Sequence, residues 1–192
     1  MSEDYITDKE FRNEKYDDKQ LAETEFECCS FHNCDFSRVN SGGLTFNDCS
    51  FFNCNFSSAK IHNATLQNVE FHGCKILGVN FEHCNELAFK VKFKDCQLDF
   101  SSFNRLSMKK TIFKNCTLKE ADFTDTDLSG SLFEQCDLHR AVFHHTTAEN
   151  VDFTTSFNFS IDPEINQIKR SKFSVFGLKG LLEKYDLNIE ST

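Results

Sequence analysis

Eight phenylalanines recur along this chain at a nearly constant interval. Six of the seven intervals are twenty residues and one is twenty-two. The eight residues are Phe31, Phe51, Phe71, Phe93, Phe113, Phe133, Phe153 and Phe173. This spacing predicts a chain that winds helically with twenty residues in each coil, so that every coil adds one ring to the same side.

A finer period of five lies between these phenylalanines. A large apolar residue stands at nearly every fifth position from Phe26 to Phe81 and again from Phe93 to Phe153, and a small or slender residue, most often cysteine, alanine or valine, stands two positions earlier. This period matches neither the 3.6 residues of a helix nor the 2.0 of a strand. The pattern therefore indicates a solenoid, in which each unit buries its apolar side by stacking on its neighbours.

Three segments carry a resemblance to a known family. Residues 121–125 (ADFTD), 126–130 (TDLSG) and 136–140 (CDLHR) resemble the A(D/N)LXX units of the pentapeptide repeat family. The resemblance covers roughly residues 21–173 and implies an all-β fold, a right-handed quadrilateral β-helix of about seven coils. It also implies that the large and small residues of each unit point inward and that the other three face water.

The period divides the chain into three parts. Residues 1–25 are acidic and place charged residues in the small position, which predicts an N-terminal cap or irregular first coil; a disordered arm is the alternative. Residues 26–173 form the predicted β-helix. Residues 174–192 form a capping helix and tail, because Ser174 can cap a short α-helix over residues 175–185, which Gly177 and Gly180 weaken.

Two extra residues between Phe81 and Phe93 predict a bulge near residues 85–92 that leaves the columns on both sides in register. We expect this bulge to be either a partner contact or a tolerated surface insertion. At the C-terminal end, the resemblance implies end-to-end dimerisation, so the helix is a candidate cap or homodimer surface. The candidate bulge contacts are Glu86, Phe89, Lys90 and Lys92, and the candidate cap or dimer residues are Phe176, Leu178, Leu181, Leu182 and Tyr185.

Charge changes sign twice along the second half of the β-helix. Residues 90–119, here called the basic belt, carry eight basic and two acidic side chains, and residues 120–159, here called the acidic coils, carry eight acidic and one basic. The basic residues are Lys90, Lys92, Lys94, Arg105, Lys109, Lys110, Lys114 and Lys119. The acidic residues, a candidate partner surface, are Glu120, Asp122, Asp125, Asp127, Glu134, Asp137, Glu149 and Asp152.

The remaining residue patterns favour a cytoplasmic, non-enzymatic protein without cofactor, metal or membrane partner. No apolar run approaches the ~20 residues of a membrane span, and no phosphate loop, nucleophile elbow or zinc spacing occurs. Nine of the ten cysteines, all but Cys28, fall in the small inward position, which predicts buried, reduced thiols that pack as small hydrophobes.

Two functional hypotheses follow. The resemblance extends to the quinolone-resistance branch of the family, whose members imitate DNA, and it implies binding to a type II topoisomerase (DNA gyrase or topoisomerase IV), fluoroquinolone protection and no direct nucleic-acid binding. The acidic coils and the formal net charge of −9 fit that hypothesis, whereas the basic belt does not. The alternative is a structural or protein-interaction scaffold for an unknown partner.

Overall fold

The computed structural model describes residues 5–21 and 24–189, and its strands form two parallel sheets. The four-stranded sheet contains β1 (Tyr5–Thr7), β3 (Glu25–Glu27), β5 (Thr45–Asn47) and β7 (Thr65–Gln67). The seven-stranded sheet contains β2 (Glu10–Arg12), β4 (Ser30–His32), β6 (Ser50–Phe52), β8 (Val69–His72), β9 (Val91–Lys94), β10 (Ile112–Lys114) and β11 (Leu132–Glu134). The predicted β-helix is therefore the observed fold.

The coil has four sides because the chain turns a corner every five residues. We number them by their central residues in one coil: Phe26 lies on side 1, Phe31 on side 2, Phe36 on side 3 and Ser41 on side 4. Side 1 carries the four-stranded sheet and side 2 the seven-stranded sheet. Sides 3 and 4 pair through isolated parallel bridges, such as Asp35↔Asn55 on side 3.

Residues at the corners adopt the left-handed backbone region. Asn33 and Asn53 have φ values of 54°, and asparagine tolerates this region better than most residues. Phe100 occupies an equivalent corner with φ 63°, although its ring is 61% exposed. A bulky side chain is rare in this conformation, so Phe100 marks a locally strained corner.

The core consists of stacked phenylalanine rings. On side 2 the stack runs continuously from Phe11 to Phe173, and neighbouring ring centroids are 4.6 to 5.3 Å apart. Phe113 is fully buried between Phe93 and Phe133. The predicted inward column of phenylalanines is thereby confirmed, and nine cysteines are buried while Cys28 is exposed, as their positions in the repeat predict.

Hydroxyl groups replace the thiols at some small inward positions, and those of Thr126 and Ser131 are hydrogen-bonded. The Thr126 Oγ1 donates to the carbonyl of Phe103 on the preceding coil at 2.9 Å, and the Ser131 Oγ donates to that of Met108 at 2.8 Å. A buried hydroxyl without such a partner would cost about 1–3 kcal/mol. These bonds therefore allow the small inward position to be polar.

The two extra residues lie on side 1, where a 3₁₀ turn (Glu86–Ala88) follows β7 in place of a further strand. Side 2 is unaffected, since β8 and β9 pair with Phe71 opposite Phe93. Near the N-terminus, β1 and β2 pair with β3 and β4, and the short helix α1 (Asp18–Leu21) buries Leu21.

The predicted C-terminal helix is divided into three short pieces. A 3₁₀ turn (Val175–Gly177) precedes α2 (Lys179–Leu182), and a second 3₁₀ turn (Glu183–Tyr185) follows. Glycine has poor helix propensity; Gly177 ends the first 3₁₀ turn, and Gly180 lies within α2. Within the described part of the chain, no helix has the length and hydropathy needed to cross a membrane.

Candidate functional site

The eight carboxylates of the acidic coils are distributed over all four sides of the β-helix. The side on which each carboxylate lies is given by the bridges between coils and by the positions of the left-handed corners. Asp127 and Glu149 lie on side 1, Glu134 and Asp152 on side 2, Glu120 and Asp137 on side 3, and Asp122 and Asp125 on side 4. The structure therefore gathers no more than two of these residues on any one side.

Six of the eight carboxylates form ion pairs with a cation on a neighbouring coil. The pairs are Glu134–Lys114 at 2.8 Å, Asp127–Lys109 at 3.1 Å, Asp152–Lys172 at 3.3 Å, Asp137–Lys119 at 3.4 Å, Glu120–Arg140 at 3.8 Å and Asp125–Arg105 at 3.9 Å. Four of the cations belong to the basic belt. Asp122 and Glu149 form no ion pair with any residue in 5–21 or 24–189.

Hydrogen bonds hold two of these carboxylates in the ionised form. Burial opposes ionisation of Asp127, but hydrogen bonds from Ser129 and the ammonium of Lys109 outweigh it and lower the pKa of Asp127. Hydrogen bonds from Thr154, assisted by Lys172, likewise lower the pKa of Asp152. Both groups carry full charge at neutral pH and are engaged within the protein.

Of the candidate contact residues at the insertion, one lies in the core and the others lie on the surface. Phe89 is buried, with its ring centroid 5.7 Å from that of Phe81, so it packs in the core. Glu86 and Lys90 are exposed, and Lys92 pairs with Glu70 at 2.8 Å. Leu87, which the sequence analysis did not single out, is 99% exposed at the tip of the turn.

The C-terminal candidates also separate into two groups. Phe176 is 96% exposed and Leu178 and Tyr185 are about half exposed, whereas Leu181 is partly buried and packs on the core and Leu182 is partly buried. Leu181 therefore anchors the segment. Three further apolar residues of this segment, which the sequence analysis left out of the candidate set, are also exposed: Val175, Leu187 and Ile189. We define the C-terminal apolar patch as Val175, Phe176, Leu178, Leu187 and Ile189.

Ion pairs and hydrogen bonds fix the C-terminal segment to the last coil. Lys184 bridges Asp162 at 2.7 Å and Glu164 at 2.6 Å, and the Tyr185 hydroxyl donates to Glu164 at 2.7 Å. The Lys184 ammonium, which donates to both carboxylates, lowers the pKa of Asp162 and of Glu164. The segment is thus held by charge as well as by Leu181.

A cleft of about 440 Å³ lies between this segment and the last coil, and its lining includes His139, Ser156 and Ser174. Ser156 Oγ donates to the carbonyl of Phe133 at 2.8 Å, and Ser174 Oγ accepts from the N–H of Gly177 at 3.1 Å. A serine nucleophile needs a base within hydrogen-bond reach. Neither hydroxyl has a hydrogen bond to a histidine or carboxylate in the described chain.

The Cys49 and Cys84 thiols are equally unsuited to nucleophilic chemistry. Burial raises the pKa of Cys49 and of Cys84 to about 12, and a protonated thiol is a weak nucleophile and a weak metal ligand. Across residues 5–21 and 24–189, no group of three or more histidine, cysteine or acidic side chains is arranged to hold a metal ion.

Comparisons with known proteins agree with this geometry. The family model described as "Pentapeptide repeat region" matches residues 24–89 and 87–157. Two trypsin-treated variants of QnrB1, a plasmid-mediated fluoroquinolone resistance protein, each share 19% identity and a TM-score of 0.57. The first alignment covers 97% of this chain and 100% of that chain, and the second covers 95% and 99%.

A further similar structure is HetL, a pentapeptide repeat protein involved in heterocyst differentiation regulation in the cyanobacterium Nostoc sp. strain PCC 7120. It shares 12% identity and a TM-score of 0.42, over 90% of this chain and 87% of that chain. No curated protein matches the sequence. Since the family model matches more than half of the residues, the chain belongs to the pentapeptide repeat family.

Proposed function

We propose that this chain is a non-enzymatic protein-interaction scaffold whose main contact surface is the C-terminal apolar patch. The observation that carries the proposal is the exposure of large apolar side chains at this end, where Val175 is 81% and Phe176 is 96% exposed. Exposed apolar patches of this kind mark interaction sites in soluble proteins. The stacked core supplies a rigid body on which such a patch is held in one orientation.

The first partner of this patch is a second copy of the chain. A two-fold dimer would place the same patch on both sides of the interface and would cover its apolar side chains. Light scattering coupled to size-exclusion chromatography tests this step. We expect a dimer for the wild type and for the control Phe100→Asp, and a monomer for Val175→Asp/Phe176→Asp; a monomeric wild type would contradict dimerisation.

Quantitative affinity purification tests the scaffold itself. Purified wild type, Val175→Asp/Phe176→Asp, Leu87→Asp and the control Phe100→Asp serve as baits at equal concentration. The proposal predicts a protein that the wild type and Phe100→Asp retain equally and that the patch variant loses. Retention of the same proteins by all four baits would contradict an assigned contact surface.

Binding to a type II topoisomerase in place of DNA is the second candidate. Its support is the solenoid shared with QnrB1 and the net charge of −9. DNA imitation needs a continuous negative face, because backbone charge dominates DNA affinity. Residues 90–159 instead carry ten acidic and nine basic side chains, many of them paired between coils. The charge arrangement therefore favours the scaffold.

A further inference from the structure

A second cleft, of about 540 Å³, lies along the edge between sides 1 and 2 next to the insertion. Four lysines line it: Lys90, Lys92, Lys109 and Lys110. The cleft follows the point where the four-stranded sheet ends at β7 and the 3₁₀ turn replaces a strand. The insertion therefore coincides with a recess in an otherwise regular surface.

Two of these lysines are already neutralised and two are not. Lys92 pairs with Glu70 at 2.8 Å, and Lys109 pairs with Asp127 at 3.1 Å. Lys90 and Lys110 form no ion pair with any residue in the described ranges, although the cleft also contains Asp48. The recess therefore holds two ammonium groups without an ion pair and one such carboxylate, Asp48.

The backbone keeps these two lysines close together. β9 and β10 pair with Lys92 opposite Ile112 and Phe93 opposite Phe113, and Lys90 and Lys110 each stand two residues before the first of these pairs. The two residues are twenty positions apart and lie at successive coils, whose backbones are separated by about 4.8 Å. Both side chains line the same cleft, and an anion bound there would offset the repulsion between their like charges.

We propose that this cleft binds a small multivalent anion that carries phosphate groups. Lysine binds phosphate as a point charge, and two to four ammonium groups around one recess suit adjacent phosphates. The volume lies within the range of small-molecule sites, roughly 300–1,000 Å³. This site is independent of the C-terminal apolar patch and of any protein partner.

The lining favours a small anion over a nucleic acid or a protein. Among the described residues, no aromatic ring lines the cleft, so they offer no surface on which a base could stack. Val69 and Val91, its apolar residues, are buried and cannot anchor a partner side chain.

Isothermal titration calorimetry with sodium tripolyphosphate, at about 50 mM salt to limit screening, tests the proposal. The wild type is compared with Lys90→Gln/Lys110→Gln and with the matched control Lys60→Gln/Lys75→Gln. Lys60 and Lys75 are exposed on sides 4 and 3 and form no ion pair with a described residue. We expect saturable binding at one site, at least tenfold weaker in the cleft variant and unchanged in the control.

Orthophosphate and ATP in the same titration distinguish free phosphate from a nucleotide as the natural source. Absence of saturable binding, or equal weakening in both variants, would overturn the proposal. Displacement of tripolyphosphate by duplex DNA or poly-glutamate at lower molar concentration would also overturn it, because the ligand would then be a macromolecule. All four substituted lysines have exposed side chains, so loss of folding does not complicate the comparison.

Discussion

Gly180 lies so close to Phe159 that no side chain fits between them. A Cβ atom at Gly180 would lie 2.7 Å from Cδ2 of the Phe159 ring, and the Gly180 carbonyl accepts a hydrogen bond from the N–H of Ile161 at 2.9 Å. Gly177 meets the same ring, with its Cβ position 2.8 Å from Cζ. The two glycines weaken the helix but permit it to dock on the last coil.

We therefore predict that Gly180→Ala loosens the C-terminal segment. Forcing a methyl group into a packed contact typically costs about 1–3 kcal/mol. Amide hydrogen exchange should become faster in residues 175–185 and stay unchanged in the coils before Phe153. The control is Gly42→Ala, whose Cβ position is 3.5 Å from its nearest neighbour; equal exchange in both variants would contradict the role of the Phe159 contact.

Phe113→Ala should destabilise the whole β-helix by about 3–5 kcal/mol, because it removes a fully buried ring from the middle of the stack. Phe176→Ala removes a ring that is 96% exposed and should change the free energy of unfolding by less than about 0.5 kcal/mol. Urea denaturation measures both. Similar midpoints for the two variants would show that the stacked rings do not dominate the core.

Phe100→Asn should stabilise the protein by about 0.5–1 kcal/mol. The backbone at Phe100 has φ 63°, which asparagine adopts with less strain, and the exposed ring contributes little packing. Leu87→Asn is the control, since Leu87 is 99% exposed and lies outside the left-handed region. Thermal unfolding of both variants checks the prediction, and a gain for Leu87→Asn alone would contradict it.

Docking of the C-terminal segment should weaken in acid. Lys184 lowers the folded-state pKa of Asp162 and Glu164, so their ion pairs stabilise the fold above the ordinary carboxyl pKa, near 4, and are lost as pH falls through the lower folded-state values. We expect Lys184→Met to have a lower unfolding midpoint than the wild type at pH 7. The difference should shrink below about pH 4; a constant difference would contradict the ion-pair account.

The five-residue period was sufficient to predict the core, because a residue's place in the repeat determines whether its side chain points inward or outward. It could not predict the form of the insertion. The two extra residues interrupt the five-residue repeat. Packing alone therefore decides that Phe89 points inward and Leu87 outward. Gly180 illustrates the same limit, since its contact with Phe159 depends on how the last segment folds back.

The ion pairs between coils can be predicted from the sequence once the length of the coil, twenty residues, is known. Residues twenty apart lie at the same position on adjacent coils, as Lys114 and Glu134 do, and residues eighteen apart lie diagonally, as Lys109 and Asp127 do. The basic belt and the acidic coils are therefore partners. The acidic coils alone resemble a polyanion. When the basic belt is included, the charges of the two regions nearly cancel.

A DNA gyrase supercoiling assay, with and without a fluoroquinolone, tests this conclusion most directly. The scaffold account predicts that excess protein neither inhibits supercoiling nor protects the enzyme from the drug. The contradicting result is inhibition or protection by the wild type that disappears in Asp122→Lys/Asp127→Lys/Asp137→Lys. That outcome would show that the acidic coils act on the enzyme as DNA does, despite their lysine and arginine partners.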